Sequence, residues 1–155
     1  IVAGTDTIRL LNNHLQTTSV SQNRKKWERE LATDNTRREA QAVQDAAETL
    51  HENFVRRAFQ TDSICQLATA SPHPVLVCGD FNSLPSSYTY HRLSESLKDG
   101  FKTGGHGYMY TYRYGKRMLR IDYAFHSPEL ECTDYYSPNL DLCSDHNPVI
   151  FTVKY

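Results

Sequence analysis

The chain has 155 residues, of which 39 % are hydrophobic and 23 % charged, and its formal net charge is −1. That is the composition of one ordinary globular domain. It excludes a global basic field that would advertise nucleic acid as a partner, although a local groove can still be basic. No apolar stretch is long enough to span a membrane.

Thr5–Leu15 reads as a buried strand, weighted by Ile8, Leu10, Leu11 and Leu15. Thr17–Asn35 is polar and charged, a loop with one helical turn around Trp27. From Thr36 to Phe59 the helical period is clear, with Ala40, Val43, Ala47, Leu50, Phe54 and Ala58 at three- and four-residue steps. Thr36 and Glu39 have the spacing of a capping box at its start. Thr61–Pro74 is expected to be a connector, punctuated by Pro72 and Pro74.

Val75–Cys78 is a short continuous apolar run, the pattern of a strand buried on both faces. A short helix then opens at Pro85-Ser86-Ser87, capped by Ser86 or Ser87, and runs to Leu93 or Leu97. Gly104–Gly107 is expected to be a loop. Tyr108–Tyr114 and Met118–Phe125 read as a hairpin turning at Gly115-Lys116, and Leu130–Tyr136 and Pro148–Val153 as the last strands. The four cysteines, Cys65, Cys78, Cys132 and Cys143, contain no C-x-x-C pair, so zinc-ribbon spacing is absent. There is no internal repeat and no low-complexity tract.

Four short strings place polar groups at the ends of apolar runs: Asn13-His14-Leu15, Gly79-Asp80-Phe81-Asn82-Ser83, Arg120-Ile121-Asp122-Tyr123 and Ser144-Asp145-His146-Asn147-Pro148. Ligands of open α/β sheets sit just beyond the carboxyl ends of strands, where such groups converge. Three carboxylates and two histidines gathered there suit a divalent cation and hydrolysis of a phosphate ester.

In this order, from about Thr7 to the C-terminus, the strings resemble the endonuclease/exonuclease/phosphatase superfamily, the deoxyribonuclease-I-like phosphoesterases. Cys78-Gly79-Asp80-Phe81-Asn82-Ser83-Leu84-Pro85-Ser86-Ser87-Tyr88 is close to the versions in deadenylases and their bacterial relatives. The resemblance implies an α/β fold: one two-layer half of a four-layer sandwich, with a mixed sheet and helices on one face. The family's first half carries a Gln-Glu whose glutamate holds the metal, and no Gln-Glu occurs here. Residues 1–155 are therefore expected to be the C-terminal half of the domain, with the N-terminal half absent. A half so exposed is expected to be inactive alone and to pair as a homodimer through a bare sheet face.

The resemblance also implies roles. Asp145 is the metal-side carboxylate, for Mg2+ or Mn2+, and His146 the imidazole beside the scissile phosphate. Asp122 orients His146, since a carboxylate accepting the distal N–H fixes the tautomer. Asp80 positions or deprotonates water, and Asn82 and His14 donate to phosphate oxygens. Asn13 is expected to bond locally and Arg120 to be structural. Tyr108, Tyr110, Tyr112 and Tyr114 alternate beside Arg113 and Lys116, a pattern that stacks bases or, more commonly, packs across strands.

The reading is a metal-dependent phosphoesterase acting on a phosphodiester or phosphomonoester, with nucleic acid one open substrate class. A non-catalytic binding or scaffolding relative is the alternative. Cellular location is left open, membrane association of the longer protein included.

Overall fold

The computed structural model describes residues 1–4, 6–19, 23, 26–29, 32, 36–114, 117–140 and 143–155. Its elements are β1 (Val2–Ala3), β2 (Asp6–Thr7), β3 (Arg9–His14), α1 (Thr36–Thr69), β4 (Val75–Asp80), α2 (Tyr88–Ser94), β5 (Lys98–Asp99), α3 (Gly100–Gly104), β6 (Asp122–His126), β7 (Glu131–Tyr136) and β8 (Ile150–Lys154). Residues 26–29, around Trp27, are helical, as expected. The chain divides into two compact units, Ile1–Leu15 with Gln60–Tyr155, and Gln16–Phe59.

In the first unit, a four-stranded mixed sheet has the order β3-β4-β6-β5. β3 runs parallel to β4, with His14 opposite Asp80, and β6 runs antiparallel to β4, with Asp122 opposite Asp80. Alternation along the strands gives the sheet two apolar faces. On one, Leu11, Val75, Val77, Tyr123 and Phe125 pack with Phe81, with Ile64, Cys65 and Ala68 of α1, and with Tyr90 and Leu93 of α2. On the other, Cys78 and Ala124 meet Met109, Phe101 of α3, Cys132 and Tyr135 of β7, and Phe151 and Val153 of β8. The mixed sheet with helices expected from sequence is present.

The expected bare face is therefore partly clothed. The β7–β8 pair covers the face along β6, because Tyr135, Phe151 and Val153 are the inward residues of that two-stranded sheet. Leu10 of β3 stays 43 % exposed.

Several local expectations change. Thr36 is already helical, and α1 continues through the expected connector to Thr69, because Thr61, Ile64, Cys65 and Ala68 give it a second buried stripe. Within the unit Gln16–Phe59 the expected apolar stripe is not the buried one: Val43 and Phe54 are exposed, whereas Asn53 and Arg57 are buried. Asn53 donates to the Thr18 carbonyl and Arg57 to the Gln16 carbonyl, so a polar segment covers that face through its backbone. Gly100–Gly104 is helical, so only the first residue of the expected Gly104–Gly107 loop is taken up by a helix. The expected hairpin reduces to a single Tyr112–Leu119 bridge, and its turn at Gly115-Lys116 lies outside the described residues. Ser87 caps α2, accepting from the Tyr90 amide. No helix among the described residues is long and apolar enough to cross a membrane.

Arg120 and Asp99 form a buried, bidentate ion pair at 3.1 and 2.8 Å, fixing β5 beside β6 as structural partners. The Arg120 guanidinium lies 4.6 Å from the Tyr123 ring centroid and 4.8 Å from that of Phe101.

Gly79 sets the tightest backbone constraint. Its φ is +131°, and a Cβ built there would lie 1.8 Å from the Asn13 carbonyl oxygen. Gly79→Ala must therefore push β3 away from β4 or distort the strand exit. A loss of about 3 kcal/mol or more is expected in urea unfolding, the scale of severe backbone and packing conflicts. A variant of unchanged stability would contradict that packing.

Candidate active site

Three adjacent strand ends set the site. Because His14, Asp80 and Asp122 occupy paired positions across β3, β4 and β6, their side chains line one row at the sheet edge. His14 Nε2 lies 3.6 Å from Asp80 Oδ2. Residues 144–147 bring the fourth group: His146 Nδ1 is 2.8 Å from Asp122 Oδ2, and its Nε2 faces Asp80 Oδ2 at 3.9 Å. The expected carboxylate–imidazole pair is thus formed. With Asp122 accepting, Nδ1 carries hydrogen and Nε2 is the atom presented toward Asp80.

Asn82, expected to donate to a phosphate oxygen, lies at the site and bonds to Asp80 and to the end of β3. Its Nδ2 donates to the Leu15 carbonyl at 3.1 Å and to Asp80 Oδ2 at 3.2 Å, while its backbone amide donates to Asp80 Oδ1 at 2.8 Å. Both amide hydrogens are spent on holding Asp80 and the end of β3. Its φ of +47° is a conformation that asparagine tolerates better than most residues. Asn13 bonds locally to the Leu11 carbonyl, as expected, and also across the strand pair to the Cys78 carbonyl.

Asp145, expected on the metal, stands apart from the cluster. It is exposed and lines a neighbouring recess with Arg113, Tyr114 and Arg117. The described residues that come together as possible metal donors are Asp80, Asp122 and His146, with ligand atoms within 4.8 Å of one another. Two carboxylates and an imidazole are donors that a divalent cation accepts, and two neighbouring carboxylates need a counter-charge. The residues present therefore fit such an ion.

Thr111 is the residue that sequence reasoning missed. It is fully buried, its hydroxyl accepts from the Ile121 and Asp122 amides at 3.0 Å each, and its carbonyl accepts from Asn147 at 2.7 Å. One threonine so joins the start of β6 to the histidine loop. Only its place among alternating tyrosines could have signalled it. Tyr112 packs its ring 5.1 Å from that of His146 and 5.8 Å from that of Tyr114, so part of the tyrosine stripe packs, as expected.

The electrostatics follow from burial and these bonds. Burial raises the Asp80 carboxyl above the ordinary range; the Asn82 amide opposes this, and the Asp122 charge adds to it. The hydrogen bond to Asp122 raises His146 above 6.5, against a smaller opposing effect of burial. A raised histidine stabilises the fold fully below its unfolded value, and that contribution is lost as pH climbs through the folded value. Metal-free protein should therefore melt at a lower temperature as pH rises from about 5.5 to about 8. Asp122→Asn should flatten that decline in a calorimetric series, and an equally steep decline in the variant would refute the coupling.

The profile of the Endonuclease/Exonuclease/phosphatase family matches residues 12–146. Among solved structures, the endonuclease/exonuclease/phosphatase from Bacteroides vulgatus superposes with a TM-score of 0.54 at 26 % identity, over 66 % of this chain and 44 % of that one. Truncated Caenorhabditis elegans TDP2 superposes with a TM-score of 0.54 at 18 % identity, over 94 % of this chain and 54 % of that one. A conserved protein of unknown function from Enterococcus faecalis V583 gives 0.59 at 18 % identity, over 65 % of this chain and 45 % of that one. The chain spans about half the length of these solved relatives. No curated protein sequence matches it. The family's motifs fall on the paired strand ends and the histidine loop, and the chain belongs to the Endonuclease/Exonuclease/phosphatase family.

Proposed function

We propose that this chain carries most of the catalytic side chains of a metal-dependent phosphoesterase, which hydrolyses a phosphodiester or phosphomonoester by in-line attack of water. The observation that carries the reading is the linked row Asp122–His146–Asp80–His14, with separations of 2.8, 3.9 and 3.6 Å. A non-catalytic scaffold has no need to hold an imidazole between two carboxylates at a sheet edge.

Each group has a task set by its surroundings. Asp80, fixed by Asn82 and raised by burial, takes the proton of the attacking water. His146 keeps its proton through Asp122 and offers Nε2–H to a phosphoryl oxygen as charge builds there. His14, whose side chain is 76 % exposed, reaches the same oxygens from the β3 side. Asn82 acts by positioning Asp80. Asp80 and Asp122 would offer carboxylate oxygens to a magnesium or manganese ion, with Asp145 on the adjoining loop as the further carboxylate that the family resemblance implies, while His146, with Nδ1–H on Asp122 and Nε2–H toward phosphate, has no lone pair for it. Such an ion supplies Lewis-acid stabilisation of the phosphoryl oxygens.

The domain is proposed to be completed by a half beyond these residues, and the chain alone to be inactive. Beside His146 a cavity of about 420 Å³ opens against Asn12, Cys78, Ala124, Val149 and Phe151. At it Asn147 is 3 % exposed, with neither polar atom of its carboxamide bonded. An orphaned buried amide costs about 1–3 kcal/mol, so a partner from the rest of the domain is the economical explanation.

In the full-length protein, Asp80→Ala and His146→Ala should each lower turnover of a phosphate ester about a hundredfold or more while leaving the melting curve cooperative. Near-normal activity in both would end the proposal. Asp145→Ala separates two metal arrangements: a loss as deep as that of Asp80→Ala places Asp145 at the ion, and a small loss leaves Asp80 and Asp122 as the carboxylate donors.

A further inference from the structure

Next to the catalytic row lies a second recess of about 400 Å³, lined by Arg113, Tyr114, Arg117, Cys143, Ser144 and Asp145. The site already described uses none of these as a proton carrier or phosphate donor, apart from the position implied for Asp145. Among the described residues its lining carries two guanidinium groups and one carboxylate, whereas the row beside it holds the carboxylates of Asp80 and Asp122.

The recess is built on the histidine loop itself. The Arg113 backbone amide donates to the Asp145 carbonyl at 2.8 Å, and its Nη1 donates to the Ser144 carbonyl at 2.9 Å. The arginine stem is thereby tied to the two residues that precede His146, and less side-chain freedom remains to be lost on binding. Tyr112 continues the join, meeting the rings of His146 and Tyr114 edge to face. Arg117 is exposed at the far side of the recess, and Tyr114 is 66 % exposed beside it.

A planar guanidinium presents paired donors that match phosphate oxygens, and such charge-assisted bonds are the strong ones. We propose that this recess binds a second, non-scissile phosphate of the substrate, so that the enzyme selects esters carrying another phosphate close to the one it cleaves. This rests on the phosphoesterase reading for its link to catalysis, but not for binding itself. The recess also supplies the attraction that a row of carboxylates does not offer a polyanion. Two sources share that chemistry: the adjacent phosphate of a single-stranded oligonucleotide, and the second phosphate of a small polyphosphorylated molecule.

Calorimetric titration of this chain in chelator, with inorganic pyrophosphate in one arm and a single-stranded tetranucleotide in the other, tests the inference. Arg117→Ala should weaken the tighter-binding probe about tenfold or more, and Arg117→Lys should recover part of the loss, the scale of one charged hydrogen-bonding group. The arm with the tighter binding identifies the source. No binding by the unaltered chain, or equal affinity in Arg117→Ala, would overturn the subsite. In the full-length enzyme, Arg117→Ala should leave kcat/KM for bis(p-nitrophenyl) phosphate, which carries one phosphate, within about twofold, while lowering it about tenfold for a substrate of the preferred class. A full-length enzyme that hydrolyses neither, while this chain still binds pyrophosphate through Arg117, would retain the subsite and discard the phosphoesterase reading.

Discussion

The pairing register of β3, β4 and β6 is the constraint on which the rest of the site depends. A strand's side chains alternate faces, so a slip of one residue would send every group on that strand to the opposite side. With Asp80 opposite both His14 and Asp122, one row is defined by backbone hydrogen bonds before any side chain chooses a rotamer. Gly79 permits that register by letting β3 approach where a Cβ would collide with the Asn13 carbonyl. The same alternation splits the apolar residues, Val77 and Tyr123 going to the helices and Cys78 and Ala124 to the β7–β8 side. Core and site are consequences of one ladder.

Much of this was legible in the sequence because the chemistry sits on short local patterns. Val75-Leu76-Val77-Cys78 followed by glycine and aspartate announces a buried strand with a tight exit, and the strand is there. Ser87 announces a helix start, and it caps α2. The Asp122–His146 pair was readable from residue type and motif order. What could not be read depended on partners distant in the chain. The periodic stripe of α1 before Gln60 gave no hint that Asn53 and Arg57 would be its buried residues, since carbonyls of residues 16 and 18 satisfy them. The tyrosine alternation suggested a hairpin strand, but Thr111 turns inward to bond the Ile121 and Asp122 amides, and a regular ladder does not form. Asn82 is a third case: its position was evident, yet whether its amide faces substrate or Leu15 is decided by the end of another strand.

Thr111 shows how the histidine loop is held without a regular element of its own. Residues 144–147 have no sheet ladder beyond the single Tyr112–His146 bridge, so their placement rests on particular bonds. Asn147 donates to the Thr111 carbonyl, Arg113 donates to the Asp145 carbonyl, and the His146 amide donates to Ser144 Oγ. The segment around Thr111 is itself fastened to β6 through the threonine hydroxyl. Asp122 and His146 therefore share one support, and their 2.8 Å bond is the short side of a closed frame rather than an isolated surface contact. Geometry held in this way is what an imidazole needs if its tautomer is to stay fixed during proton transfer.

The charge arrangement extends that logic beyond the row. Asp80 and Asp122 are close enough to raise the cost of ionising Asp80, and His146 offsets part of it by gaining basicity from Asp122. A proton on His146 and a bound cation are two ways of meeting the same negative potential. Asp145 sits on the outer side of this balance, where its charge raises both His146 and the Tyr112 phenol while its carboxylate faces the arginine recess. On the proposed reading, acidic groups at the strand ends and arginines on the adjoining loop would divide the work: the former would hold the proton and the metal, and the latter would hold the anion in place.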